Sequence, residues 1–334
     1  MEYAGYGFVD AVRELAGRVG LTVPDDGHVS RPEDGRRDTL FECMDAAGRF
    51  YRAQLKASTT AIDYLKRRGL SGEAAARFGL GYAPDDWQGL ARAVPDYSDS
   101  ALEEAGLVIA SEGRRYDRFR DRIMFPIRNE RGRIVAFGGR VLGAGEPKYL
   151  NSPETPLFHK GRELYGLFEN RRAIQAASRA IVVEGYMDVV MLAQHGVENA
   201  LATLGTAVTP DQVGRLFRLV DDVLFAFDGD AAGRRAAWRA LENALPQLQD
   251  GKRASFLFLP EGEDPDSYVR AQGAPAFHAL CDRAMPLSDF LFQELIAKTD
   301  LASQEGRVRL ATLAEPLIAR IVQAPMLARA RQHG

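Results

Sequence analysis

The sequence predicts an α/β fold: a central sheet with helices on both faces, preceded by a mixed α+β half and followed by helices. Three observations lead there. Past residue 165, short apolar runs alternate with helical stretches. "RAIVVEG" leads into "YMDVVMLAQHG", and "ENALATLG" leads through a Thr209 cap into "PDQVGRLFRLV". "DDVLFAFDGD" leads into "AAGRRAAWRALENAL", and "RASFLFLPEGED" into "PDSYVRAQG". Apolar strands that alternate with helices imply a parallel sheet covered on both faces. Second, from Leu107 to about Gly143 strand-like runs alternate with turns, with "NERG" as a hairpin candidate. Third, the last fifty residues, "PLSDFLFQELIAK" through "RVRLATLAEPLIARIV", carry only helical spacing.

The remaining elements follow in chain order. Phe8, Val12, Leu15 and Val19 have helical spacing, and Gly20 stops that helix. Residues 24–37, "PDDGHVSRPEDGRR", read as an exposed linker. One long helical stretch is expected from about Asp38 to Arg68, closed by Gly69, with short helical pieces reaching Glu104. The expected divisions are 1–37, 38–165, 166–284 and 285–334: helix and linker, basic α+β part, α/β sheet, and helical end.

Composition narrows the class. The chain has 334 residues, a formal charge of −3, 46% hydrophobic and 27% charged residues, an ordinary soluble globular balance. No run of eighteen apolar residues suggests a membrane span, and the N-terminus lacks a signal-peptide pattern. Cys43 and Cys281 form no CxxC pair, which disfavours a disulfide framework or a zinc site and fits a reducing cytoplasm. A monomer is expected.

Three predicted strands end in acids. Glu184 follows Ile181–Val183, Asp228 and Asp230 follow "VLFAF", and Asp264 and Asp266 follow "SFLFLP". Asp188 stands one helical turn beyond Glu184. In a parallel sheet, functional groups gather beyond the carboxyl ends of the strands. Clustered carboxylates raise one another's pKa unless a cation neutralises them, and oxygen-only donors suit Mg²⁺ or Mn²⁺. Each acid alone has a plainer reading: Glu184 as a turn or cap, Asp230 as an N-cap, Asp264 as an N-cap before Pro265. Three acid-bearing strand ends, each with a neighbouring glycine, favour the cation reading.

Positive charge concentrates in residues 114–148, where ten Arg and Lys oppose four acids for a local balance of +6. In "RYDRFRDRIMFPI", Arg118 and Arg120 interleave with Tyr116 and Phe119, a mix suited to phosphates and stacked bases. "PKYLNSPETPLFHKG" adds Lys148 and Asn151, and "YLKRRGLS" adds a weaker cluster at Lys66, Arg67 and Arg68. The five histidines show no ligand spacing, and "FGGRVLGAG" lacks the lysine and spacing of a P-loop.

Together "VVEGYMDVV", "FAFDGDAAGRRAA" and "PEGEDPDSYV" resemble the three motifs of a TOPRIM domain, in the form used by bacterial replicative DNA primases of the DnaG type. "YDRFRDRIMFPIRNERGRIVAFGGRVLG" and "PKYLNSPETPLFHKGRELYGL" resemble the basic N-terminal half of that family's RNA polymerase core. The resemblance implies Glu184 as catalytic acid and as a metal ligand with Asp228, Asp230, Asp264 and Asp266. It implies nucleotide or template handling by Arg140, Lys148 and Asn151, with the Lys66, Arg67 and Arg68 cluster as an addition and Asp188 close by; Arg118 and Arg120 join these candidates from their basic-aromatic run. It further implies Mg²⁺ or Mn²⁺, no zinc in this chain, NTPs, a single-stranded DNA template and an RNA–DNA hybrid product. The family's zinc-binding module and helicase-binding domain are both expected to be absent.

The expected function is therefore primer synthesis by nucleotidyl transfer. A TOPRIM nuclease or topoisomerase would use the same acids to cleave DNA, but a topoisomerase needs a nucleophilic tyrosine on a separate domain: Tyr186 and Tyr268 sit inside the motifs, no candidate domain stands outside them, and the basic half resembles primases. An inactive nucleic-acid-binding fragment is the other alternative, disfavoured by intact acids in all three motifs.

Overall fold

A computed structural model describes residues 32–143, 145–205 and 207–321. Residues from Thr39 onward form one compact unit, and 32–38 belong to a separate one. The helix expected at Phe8–Val19 lies outside the described residues.

Helix α1 (Pro32–Ala57) opens inside the expected linker; proline is tolerated there because the first turn has no use for its missing N–H. The single helix expected to run to Arg68 is in fact two. Ser58 is extended (φ −98°, ψ 104°), and its side chain accepts from the Ala61 N–H at the start of α2 (Thr59–Arg67). The apolar period continues across this break, so periodicity could not reveal it. Gly69, in the left-handed region (φ +81°), ends α2, and Ser71 caps α3 (Gly72–Arg77).

Next come β1 (Gly81–Ala83), α4 (Ser100–Glu104), and the hairpin of β2 (Val108–Ser111) and β3 (Arg114–Asp117). The predicted "NERG" turn joins β4 (Arg122–Arg128) to β5 (Ile134–Val141), with Asn129 Oδ1 accepting from the Arg131 and Arg133 N–H groups. With β6 (Tyr149–Asn151) these make an antiparallel sheet ordered β1-β4-β5-β6.

The second sheet alternates strand and helix: α5 (Leu167–Ala177), β7 (Arg179–Val183), α6 (Tyr186–Gln194), β8 (Ala200–Ala202), α7 (Pro210–Leu219) and β9 (Asp222–Phe227). It continues with α8 (Ala231–Ala244), β10 (Arg253–Phe258) and α9 (Pro265–Cys281), the last kinked at Gly273. The C-terminal stretch, expected to be purely helical, first adds an edge strand, β11 (Met285–Pro286), before α10 (Leu287–Ile296) and α11 (Gln304–Ile318). Strand order is β11-β10-β9-β7-β8; the last four are parallel and β11 is antiparallel.

Strand alternation splits the packing into two cores. Ile181, Val183, Leu224, Ala226 and Leu257 face α6 and the N-terminal half. Val182, Val223, Phe225, Phe227 and Phe256 face the opposite side, against α7, α8 and α10. The fold is thus the expected α/β architecture, with helices on both faces of the sheet.

Candidate active site

Strand β8 lies on one side of β7 and β9 on the other, so connections leaving the carboxyl ends diverge at the β7/β9 boundary. Such a switch point leaves a crevice where ligands gather. Glu184 stands directly after β7 and Asp228 directly after β9. Pairing persists beyond β10, where the Leu259 N–H donates to Phe227 O, and this carries the 261–266 loop to the same edge.

The glycines make that edge compact. A Cβ on Gly229 would stand 2.2 Å from Leu259 O, and one on Gly233 would stand 2.1 Å from Asp228 O. Only glycine lets these backbones approach so closely.

Two of the plainer readings are also true. Asp230 caps α8 by accepting from the Gly233 N–H at 2.7 Å, and Asp264 caps α9 by accepting from the Ser267 N–H at 2.7 Å. Asp188, in the first turn of α6, accepts from the Gly185 N–H at 3.1 Å. Each cap spends one oxygen and fixes the carboxylate at a helix N-terminus. Capping and clustering therefore coexist.

The acids act on one another electrostatically. Crowding by protein, then the charges of Asp228 and Asp230, raise the pKa of Glu184, although the residue is open to solvent. Desolvation, then Asp264 and Asp230, raise that of Asp228. Asp188 is pushed up to about 8 by burial, then by Asp264, Asp266 and Asp228. All three motifs thus share one field.

Asp266 behaves differently. It is 1% exposed and paired with two cations: Arg68 Nη2 donates to Oδ2 at 2.9 Å, and Arg270 Nε lies 2.9 Å from Oδ1. Burial raises its pKa, and Arg270 and Arg68 oppose that rise. Its charge is already compensated by protein. Arg270 is not among the residues the sequence singles out, although its i,i+4 spacing from Asp266 is visible in "DPDSYVR".

Part of the basic half reaches this edge. Arg140 on β5 bonds the Tyr64 and Tyr149 hydroxyls and contributes to the field at Asp266. Asn151 accepts from the Tyr186 hydroxyl at 2.7 Å and donates to Leu204 O at 2.8 Å. Tyr186 itself stacks on Phe125 at 5.2 Å, so α6 is packed against the antiparallel sheet. Lys148 is exposed beside this strand.

Other predicted residues lie elsewhere. Arg118 donates to Gly106 O, and Arg120 donates to Asp117 O while lying 4.2 Å from the Trp87 ring centroid. Phe119, expected to offer a stacking face, is buried core, whereas Tyr116 meets the 64% exposed Trp87 edge-on. Lys66 and Arg67 are exposed in the last turn of α2, and Arg68, the next residue, is the one that reaches the acids.

Among the described residues, no three His, Cys, Asp or Glu side chains are arranged to hold a metal ion by themselves. The donor chemistry nevertheless fits Mg²⁺ or Mn²⁺. Mg²⁺ typically takes one or two protein carboxylates and completes its shell with water and phosphate. Glu184 and Asp228 have no hydrogen-bond partner within the protein among the described residues, and their mutual repulsion is what a divalent cation relieves.

Comparisons with known proteins bear on the family and the fold. Residues 50–171 match the family model of the DNA primase catalytic core, N-terminal domain, and residues 178–258 match the Toprim domain. Residues 288–327 match the DnaB-helicase binding domain of primase. That match corrects the expectation that a helicase-binding domain is absent: helical periodicity in this stretch announces helices but not what they bind. The chain is 54% identical over 332 residues to the DNA primase of Pseudomonas aeruginosa, a match covering 96% of this chain and 50% of that protein. It spans about half the length of such relatives. A crystal structure of a DNA primase domain from Pseudomonas aeruginosa is 55% identical with a TM-score of 0.83, over 88% of this chain and 94% of that one. The structure of the DnaG primase catalytic domain bound to ssDNA is 49% identical with a TM-score of 0.83, over 90% of this chain and 98% of that one.

Proposed function

The chain belongs to the DnaG-type bacterial DNA primases, and from that membership we propose that it synthesises short RNA on single-stranded DNA from NTPs. The observation that carries this reading is the shared field of Glu184, Asp188, Asp228 and Asp264 at the carboxyl edge of the parallel sheet, next to Arg140 and Arg68.

Glu184 and Asp228 would hold Mg²⁺ or Mn²⁺, with the second oxygens of Asp230 and Asp264 completing the set. When bound, the cation supplies charge neutralisation at the NTP phosphates and at the developing pyrophosphate. The protein's own part is placement. Asp230 and Asp264 are locked by their caps, and Arg140 is held by two tyrosine hydroxyls. Asn151 is fixed between Tyr186 and Leu204 O, with Lys148 beside it at the nucleotide. Glu184, with its raised pKa, positions the attacking ribose 3′-hydroxyl or accepts its proton. The hydroxyl attacks the α-phosphate of the next NTP, and pyrophosphate leaves. Most of the acceleration comes from orientation and electrostatics.

Asp266 is better read as a positioning residue than as a metal ligand, because Arg68 and Arg270 already neutralise it. Arg120, Tyr116 and exposed Trp87 form a cation–aromatic platform suited to a single strand. That a related DnaG catalytic domain is known bound to ssDNA supports single-stranded DNA as the ligand. Residues 288–327 would contact a replicative helicase.

The test is primer synthesis with single-stranded DNA, labelled NTPs and Mg²⁺ or Mn²⁺. Wild-type chain should give short RNA, and Asp228→Ala should give none while retaining DNA binding within about twofold. Asp228→Ala that still makes RNA at the wild-type rate contradicts the metal assignment, and DNA cleavage without NTP incorporation points to a nuclease instead.

A further inference from the structure

The break at Ser58 folds α2 back so that α1, α2 and α3 enclose a groove of about 360 Å³, whose lining includes none of the strand-end acids. Its floor is aliphatic, with Leu55, Ile62, Leu65, Leu70 and Leu80. Its rim carries Arg52, Lys56 and Lys66, all exposed. No acid lines it, and among the described residues none of the three cations has an ion-pair partner. Arg52 Nε donates only to Gly48 O of its own helix, at 3.3 Å. An aliphatic groove under three uncompensated cations is a poor solvated surface, and its volume falls in the range of binding pockets.

The lining identifies the class of occupant. Single-stranded nucleic acid needs aromatic faces for its bases, and no aromatic ring lines this groove. A duplex backbone would meet the cations and leave the aliphatic floor empty. An amphipathic helix satisfies both, placing its apolar face on the floor and its carboxylates against the rim. We propose that the α1–α3 groove is a docking site for an acidic amphipathic helical segment of a partner protein, separate from the nucleotidyl-transfer site.

The experiment is fluorescence anisotropy on the full chain with a labelled set of helical peptides of about 14 residues, each carrying Leu at i, i+3 and i+7 and Asp or Glu elsewhere. A matched set replaces the acids with Lys, and a labelled single-stranded oligonucleotide serves as competitor. Acidic members should bind, and the Lys set should not. Arg52→Glu with Lys56→Glu should weaken binding about tenfold or more. Ala76→Trp, which fills the groove from an exposed position, should weaken it as much, with an unchanged circular dichroism spectrum for both variants. The proposal is overturned if no acidic member binds tighter than about 1 mM, or if acidic and basic sets bind alike. It is equally overturned if Ala76→Trp leaves peptide binding intact, or if the oligonucleotide occupies the groove in preference to the peptides.

Discussion

At the residue scale, the acids divide by what already compensates them. Asp188 is buried, faces three other carboxylates and is pushed up to about 8 from an ordinary 3.8. A carboxyl raised in the fold binds its proton more tightly folded than unfolded. Its contribution to stability is complete below about pH 4 and is lost as pH climbs through 8. Without divalent cation, Asp188→Asn should therefore be more stable than wild type at pH 8, by about 1 kcal/mol or more, and the difference should shrink towards pH 4. Chemical denaturation across that pH range measures it. Asp266 has the opposite problem, because its compensation can be removed. Arg68→Ala leaves a buried carboxylate with one partner and should cost about 2 kcal/mol, whereas Lys66→Ala should stay within about 0.5 kcal/mol. Sequence spacing alone could not separate the two aspartates of "DPDS": one caps a helix while the other turns inward.

At the element scale, the parallel strands were legible because each is a short apolar run followed by an acid and a helix. The acids could be assigned to one edge because parallel strands share their carboxyl ends. The Ser58 break was not legible, since Leu55, Ile62 and Leu65 keep the helical period across it. Nor was the β11 edge strand, whose two residues carry no alternation to read. The diversion of Phe119 into the core also escaped the sequence, because a basic-aromatic run does not say which ring points inward. In the sequence the glycines of "DGDAAG" stand out only as neighbours of the acids; in the structure Gly229 and Gly233 permit close approach of the chain to itself. Gly233→Ala should therefore lower stability by about 1–3 kcal/mol and weaken divalent-cation binding with it, because the displaced group is Asp228 O. Urea unfolding and a cation titration on the same variant check both.

At the scale of the whole molecule, a chain of net charge −3 carries opposite local fields. Acids gather at the parallel sheet's edge, while arginines from the antiparallel sheet and α2 approach them through Arg140 and Arg68. Several other cations of the basic stretch serve the fold: Arg115 donates to Tyr97 O and Asp99 O, and Arg122 to Pro147 O. Few remain for a strand of DNA, so the plot of log affinity for single-stranded DNA against log salt should have a shallow slope of roughly −2 to −4. No helix among the described residues is long and apolar enough to cross a membrane. The proposed mechanism depends on the strand-end carboxylates gathering a divalent cation. Its most direct measurement is Mn²⁺ binding followed by electron paramagnetic resonance at neutral pH, for wild type, Glu184→Gln, Asp228→Asn and Asp266→Asn. Glu184→Gln and Asp228→Asn should each weaken Mn²⁺ binding about tenfold or more, with Asp266→Asn affected least. Equal Mn²⁺ affinity in wild type and Asp228→Asn would contradict the account.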